Sequence, residues 1–205
     1  AAAIPARLLG EVRRRRAIAL CAAPGGKTLQ LAAAGAEVTA VDASEIRLER
    51  LRENLARTGL AARTVAADAL DWRPPAPAEA VLLDAPCSAT GTIRRHPDLP
   101  HLKRESDVAA LAALQDRLLD AAWAMVAPGG LLVFATCSLL PEEGEERAAA
   151  FLARAPQARR VPVTVAEASE PDLVTAEGDL RTRPDHWPAI GGLDGFFAAR
   201  FEKQA

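Results

Sequence analysis

The residues able to do chemistry in this sequence stand where apolar runs turn polar. Asp84-Ala85-Pro86-Cys87 and Thr136-Cys137-Ser138 each follow a hydrophobic stretch; each offers a thiol, and the first adds a carboxylate. A cysteine is a nucleophile only as the thiolate, and an unassisted thiol with a pKa of about 8.5 needs local help to reach that state near neutrality. A third junction, Cys21-Ala22-Ala23-Pro24-Gly25-Gly26-Lys27-Thr28, consists largely of small residues, which let backbone approach a ligand closely. Asp42 and Asp68 end two further runs. Any one of these junctions also reads as turn punctuation, because Gly, Pro and Asp favour turns. On spacing alone Cys87 and Cys137 read as well as buried core thiols as they do as site residues, and Cys21, inside an apolar run, reads as a small core residue. The whole set, with two cysteines at polar strand ends, is poorly explained that way.

The Gly25-Gly26-Lys27-Thr28 run invites a phosphate-loop reading, but Cys21 occupies the position where that motif needs its first glycine. The dinucleotide G-x-G-x-x-G spacing is also absent, so a nucleotide phosphate is not the expected ligand. An acid at the end of the second strand, Asp42, is placed to accept hydrogen bonds from two ribose hydroxyls. A nucleoside without phosphates satisfies both facts, and S-adenosylmethionine is one.

Segments that position these residues alternate in type. The patterning predicts strands over Ala17 to Cys21, Val38 to Val41, around Val65 as far as Asp68, Ala80 to Leu83 and Leu131 to Ala135. It predicts helices over Lys27 to Ala34, from an N-cap at Ser44 through Leu48, Leu51 and Leu55 to Gly59, over Asp107 to Ala127 stopped by Pro128-Gly129-Gly130, and over Glu142 to Ala153. Phe196 to Phe201 reads as a last strand, and residues 166 to 192 as less regular. Alternating strands and helices imply a parallel α/β sheet covered on both faces, with ligands beyond the carboxyl ends of its strands.

The 205 residues fit one large domain, and a hydrophobic share of 50% with 25% charged is an ordinary globular composition. No apolar run spans a bilayer and no membrane partner is expected. Three dispersed cysteines read as reduced thiols of a cytoplasmic protein, and three histidines without paired spacing give no metal site. The net charge of -2 provides no overall basic field for nucleic acid. A polyanionic partner would rely on local residues such as Arg94, Arg95, His96, Lys103 and Arg104, or on protein outside this chain. Arg13 to Arg16 reads as a solvated helix face in preference to an RNA-binding arm, and Trp72, Trp123 and Trp187 as packing residues.

Cys-Ala-Ala-Pro-Gly-Gly-Lys-Thr at 21 to 28, Asp-Ala-Pro-Cys-Ser-Ala-Thr-Gly at 84 to 91, Ile-Arg-Arg-His-Pro-Asp at 93 to 98, Ala-Thr-Cys-Ser at 135 to 138 and Gly-Phe-Phe-Ala-Ala-Arg at 195 to 200 resemble the motifs of the RNA cytosine-5 methyltransferases. The bacterial RsmB (Sun or Fmu) type, which modifies small-subunit ribosomal RNA, is the nearest pattern, and the resemblance covers about residues 17 to 201. It implies a Rossmann-like methyltransferase fold, a mostly parallel seven-stranded sheet with an antiparallel last strand. It also implies S-adenosylmethionine as cofactor, held by Cys21 to Gly26 at its methionine end, Asp42 at the ribose and Asp68 at the adenine. Lys27 and Asp84 would lie between cofactor and base, Cys137 would be the nucleophile, and Cys87 would help release the product. The sequence departs from the family at Ala19, where an Asp is usual, and over residues 1 to 16, which do not resemble its upstream segments. Those residues are expected to be a separate N-terminal remnant, with residues 17 to 205 as the catalytic domain.

Carbon 5 of cytosine is a poor nucleophile. A thiolate adding at carbon 6 makes it an enamine carbon able to attack a methyl sulfonium, which divides one difficult step into easier ones. Asp84 is the candidate for absorbing charge at the ring nitrogen. Two other readings stand beside this one: a methyltransferase for a protein side chain or small molecule, for which a thiol is unnecessary, and a non-catalytic RNA-binding relative, favoured by Ala19.

Overall fold

The computed structural model describes residues 1–102 and 104–204. Its strands are β1 (Arg16–Leu20), β2 (Glu37–Asp42), β3 (Arg63–Ala66), β4 (Ala78–Asp84), β5 (Val126–Thr136), β6 (Ala158–Arg160), β7 (Leu180–Thr182) and β8 (Phe196–Lys203). The helices are α1 (Ile4–Arg7), α2 (Gly26–Ala33), α3 (Glu45–Thr58), α4 (Leu99–Leu102), α5 (Glu105–Ala124), α6 (Glu145–Arg154) and α7 (Val165–Ala168). Spatially the strands run β3-β2-β1-β4-β5-β8-β6, with β7 also pairing with β8. The first five pair in parallel, and β8 is antiparallel to its three neighbours. The chain winds outward from β1 to β3 and then returns to β4, so the order reverses at the β1/β4 junction. Ligands of open α/β sheets bind at such a point.

The central strands are apolar throughout because both faces are covered. With the period of two of a strand, Ile18, Leu20, Val81, Leu83, Leu132 and Phe134 pack on one side with Leu118, Leu119 and Phe151 of α5 and α6. The alternate residues Ala17, Ala19, Leu82, Val133 and Ala198 pack with Ile4, Leu8, Leu9 and Leu31 on the other. Fully buried Phe134, Phe151, Phe197 and Phe201 each contribute about 1.5–3 kcal/mol relative to exposure. Helix α3 forms as its sequence predicts: the Ser44 hydroxyl accepts from Arg47 N, Leu48, Leu51 and Leu55 are buried, and Gly59 caps it at φ 66°.

Several boundaries move. Helix α5 begins before Asp107, whose carboxylate accepts from Arg104 N at 3.0 Å, and ends at Ala124, not Ala127. Strand β5 starts at Val126, so Pro128-Gly129-Gly130 lies within it, at an irregular register opposite Ala78 and Ala80. The helix expected over Glu142 to Ala153 divides into a 3-10 turn, Pro141–Glu143, and α6. Gly144 separates them with a non-helical backbone at φ -134° and ψ -97°, and a Cβ there would stand 2.9 Å from Phe197 Cγ. Strand β3 stops at Ala66, short of Asp68. Arg13 to Arg16 are exposed, yet they form a turn into β1 instead of a helix face, pinned by Arg14 N on Gly35 O at 2.8 Å. Among the described residues the sheet has eight strands in place of seven, because β6 and β7 pair with opposite ends of β8. Residues 1 to 16 place Ile4, Leu8, Leu9 and Val12 in the second core cluster, and Arg200 Nη1 donates to Leu8 O at 2.9 Å. Among the described residues no helix is long and apolar enough to cross a membrane.

Candidate active site

The loop after β1 is held from the neighbouring strand and helix. Asp42, 3% exposed at the end of β2, accepts from Ala23 N at 3.1 Å and from Ser44 N at 3.0 Å. Arg47 lies 3.4 Å from the same carboxylate and donates to Ala23 O, while Asn54 Nδ2 donates to Pro24 O at 3.2 Å. Gly25 takes φ 109°, and a Cβ on it would come 3.0 Å from Leu51 Cγ, so conformation and space both require glycine. Ala19, where the related motif has Asp, is packed in the apolar cluster. Loop order therefore comes from β2 and α3.

A cavity of about 180 Å³ lies beside this loop, lined by Cys21, Asp42, Asp68, Pro86, Leu114 and Leu118 among others. Asp68 is exposed there, and its Oδ1 accepts from Leu70 N at 2.9 Å. Burial pushes the Cys21 thiol up to about 12, and Asp42 and Asp84 add to it, so this sulfur stays protonated. A larger cleft of about 410 Å³ opens along the other side of the loop, against Ala22, Gly26, Lys27, Asp84 and Arg95. Residues 21–27, Asp42, Asp68 and Asp84 thus line two hollows at the β1/β4 switch point, whereas Cys87 and Cys137 line neither.

Lys27 and Asp84 form an ion pair of 2.7 Å, with the ammonium 5.1 Å from the Phe196 ring centre. Beyond them Cys87 Sγ and Cys137 Sγ are 3.4 Å apart. The hydrogen bond from Cys87 holds Cys137 below the usual thiol range; the Lys27 charge helps, and burial and Asp84 oppose. Cys87 is pushed up by that same hydrogen bond and by burial. Either sulfur can donate across this contact, and the shifts favour loss of the proton from Cys137 over Cys87. This order fits covalent chemistry at Cys137.

The sequence reading missed what sews the two cysteine segments together. Glu143 is fully buried, and its carboxylate accepts from Ser88 N at 2.9 and 3.1 Å, from Ser88 Oγ, and from Gln115 Nε2 at 3.2 Å. Gly91 N donates to Cys137 O at 2.9 Å, and a Cβ on Gly91 would fall 2.0 Å from Gly195 O. In sequence, Glu142-Glu143 looks like the acidic first turn of a helix, and only a glutamate sited so close after Cys137 hinted otherwise. The basic residues are less free than expected: Arg94 donates to Gly191 O, and Arg95 pairs with Asp194 at 2.9 Å. His96 and Arg104 are exposed. Lys103 lies outside the described residues. Trp123 packs edge-on against Phe151 at 5.4 Å, and Trp72 and Trp187 pack against the two core clusters.

A family model described as 16S rRNA methyltransferase RsmB/F matches residues 6–202. Ribosomal RNA small subunit methyltransferase B of Pseudomonas putida is 45% identical over 215 aligned residues, covering 100% of this chain and 46% of that protein. The crystal structure of PH0851 superposes with a TM-score of 0.87 at 34% identity, covering 99% of this chain and 46% of that one. NSun6 from Pyrococcus horikoshii, solved with SFG, gives a TM-score of 0.81 at 28% identity, covering 98% of this chain and 51% of that one. The chain thus spans about half the length of the curated relatives it matches.

Proposed function

The chain belongs to the 16S rRNA methyltransferase RsmB/F family, and from that membership we propose that it is the catalytic core of an S-adenosylmethionine-dependent RNA cytosine-5 methyltransferase. The observation that carries the reading is the 3.4 Å contact between Cys137 and Cys87, close beyond the Lys27–Asp84 pair. A transfer to nitrogen or oxygen needs no thiolate, whereas a transfer to carbon 5 of cytosine does. Small-subunit ribosomal RNA is the proposed substrate. Residues 17–205 act as the catalytic domain, with residues 1–16 packed on it.

The residues fit the cofactor. Leu114, Leu118 and Pro86 give the smaller cavity apolar walls suited to a purine, and two carboxylates stand at its rim. Asp42 would hold the ribose, Asp68 the adenine, and the Ala22–Gly26 backbone, with Cys21 alongside, the methionine end. When bound, S-adenosylmethionine supplies an electrophilic methyl group.

The chain's own residues do the rest. A flipped-out cytosine is taken between the Lys27–Asp84 pair and Cys137, since the base must leave any stack to be reached. Cys137 adds as thiolate to carbon 6. Charge developing on the ring nitrogen meets the Lys27–Asp84 pair, a preorganised ion pair that needs no rearrangement at that moment. After methyl transfer the carbon 5 proton passes to a base in the site and the Cys137–carbon 6 bond breaks, returning Cys137 as thiolate; Cys87, 3.4 Å from that sulfur, helps this release. A labelled-methyl transfer assay on small-subunit ribosomal RNA tests the reading, using this chain and a longer form of the protein. Label in 5-methylcytosine supports it, and label only on protein or a small molecule overturns it.

A further inference from the structure

We propose that Glu143 is a positioning residue for the sulfur pair: its buried carboxylate fixes the Pro86–Ser88 turn so that Cys87 stands within hydrogen-bond reach of Cys137. The inference rests on the reading of Cys137 as nucleophile, and it assigns a role to a residue that touches neither sulfur.

A carboxylate with no solvent exposure is costly to bury unless its lone pairs are satisfied. Glu143 receives donors from two other elements. Ser88 follows Cys87 directly and donates its backbone N–H to both oxygens and its hydroxyl to Oε2. Gln115, buried on α5, donates from one amide nitrogen to Glu143 Oε1 at 3.2 Å and to Pro86 O at 2.8 Å. Both neighbours of Cys87 in the chain are therefore tied to one carboxylate or to its partner. Glu143 is in turn anchored to the Cys137 segment, because Thr136 Oγ1 donates to Glu143 O at 3.0 Å. Ser138 Oγ lies 3.3 Å from Ser88 Oγ and links the same two segments again. A sulfur–sulfur hydrogen bond is weak, and such a contact persists only if the backbone on both sides is fixed.

Glu143→Gln separates this role from a mere field effect. One oxygen becomes an NH2 that faces Ser88 and Gln115 donors, so the turn loses an acceptor and loosens. Titratable groups around the sulfurs are Asp84, Lys27 and Cys87 at Cys137, and Cys137 and Glu143 at Cys87. Removing a nearby negative charge would by itself favour thiolates. Losing the Cys87 donor disfavours the Cys137 thiolate, so the sign decides.

The measurement is the rate of iodoacetamide alkylation of each cysteine against pH, read by peptide mass spectrometry, with thermal unfolding as the check on folding. In Glu143→Gln the Cys137 profile should move upward, slowing modification near neutrality about tenfold for each unit of pKa. In a Cys87→Ala background the same substitution should change nothing further. An unaltered or lowered profile, or an equal shift without Cys87, overturns the proposal. Should Glu143→Gln not fold, Gln115→Met removes the donors to Pro86 and Glu143 and should give a smaller upward shift; a parental profile there overturns it too. The assay needs neither RNA nor cofactor. A chain that transfers no methyl group still tests Glu143, and normal transfer with unchanged thiol profiles removes Glu143 alone.

Discussion

Asp42 carries two duties that one substitution exposes together. Its carboxylate is 3% exposed and accepts from the buried Ala23 N and from Ser44 N, which begins α3. Asp42→Ala removes both acceptors. A buried donor left unpaired costs about 1–3 kcal/mol. Ser44 N is better placed for water to replace its acceptor, so the expected loss of stability is about 2–4 kcal/mol. For a domain of this size that is a fall in Tm of roughly 5–15 °C. Arg47, already half in solvent, rehydrates at little cost. The loop that Asp42 releases is the proposed cofactor cradle. Affinity for S-adenosylmethionine should therefore drop by about 1–3 kcal/mol or more, the lost ribose bonds adding to the disordered loop. Asp42→Asn keeps one acceptor and should fall between. Thermal unfolding reads the first duty and titration calorimetry the second. An unchanged Tm in Asp42→Ala would refute the loop-holding argument whatever happens to affinity, and unchanged affinity would refute the ribose role.

Three further outcomes are expected. Cys137→Ala should abolish methyl transfer while cofactor binding persists, and Cys87→Ala should let a covalent RNA adduct accumulate, visible as a denaturation-resistant band; full activity in Cys137→Ala disproves the nucleophile. Burial, opposed by Arg160 and reinforced by Glu145, pushes the Asp179 carboxyl up to about 7. Because that folded-state value is raised, the group's stabilisation is complete below about pH 4 and is lost as pH rises through about 7. Denaturant titrations should show that decline in the parent and a flatter profile in Asp179→Asn, and identical profiles would refute it. RNA binding by this slightly acidic chain should be weak with a shallow salt slope. Arg94→Ala with Arg95→Ala should weaken it further without altering cofactor affinity, and a tight, steeply salt-dependent isotherm would contradict this.

What the sequence made legible follows from which physics is local. Strand alternation, the Ser44 cap and Gly59 involve neighbours along the chain, so α3 and the five parallel strands are readable. That residues 21–27, 42, 68 and 84 come together around two cavities is readable because loops after neighbouring strands of one sheet converge, and the same convergence brings Cys87 and Cys137 to 3.4 Å. Long-range partners decide the rest. Gly144 is kept a glycine by Phe197 lying against it, and the Pro128-Gly129-Gly130 run falls in the irregularity between the pairs Ala78–Val126 and Ala80–Leu131 of β4 and β5. Glu143 is indistinguishable from a solvated first-turn acid until Ser88 and Gln115 are seen around it. Arg95 looked free for phosphate because Asp194 is remote in sequence.

The place of β8 sets an order of events at birth. Thr136, the last residue before the Cys137 segment, has Phe197 as its partner across the sheet, and Leu132 has Phe201. A ribosome adding roughly 5–20 residues per second leaves the outer edge of β5 uncovered for several seconds while the intervening chain is made. That edge carries Leu132, Val133 and Phe134, all wholly buried once β8 arrives. For that interval the nascent protein presents an unpaired apolar strand, the kind of template that recruits other chains into aggregates. Slow decoding between β5 and β8 would lengthen the exposure of that edge.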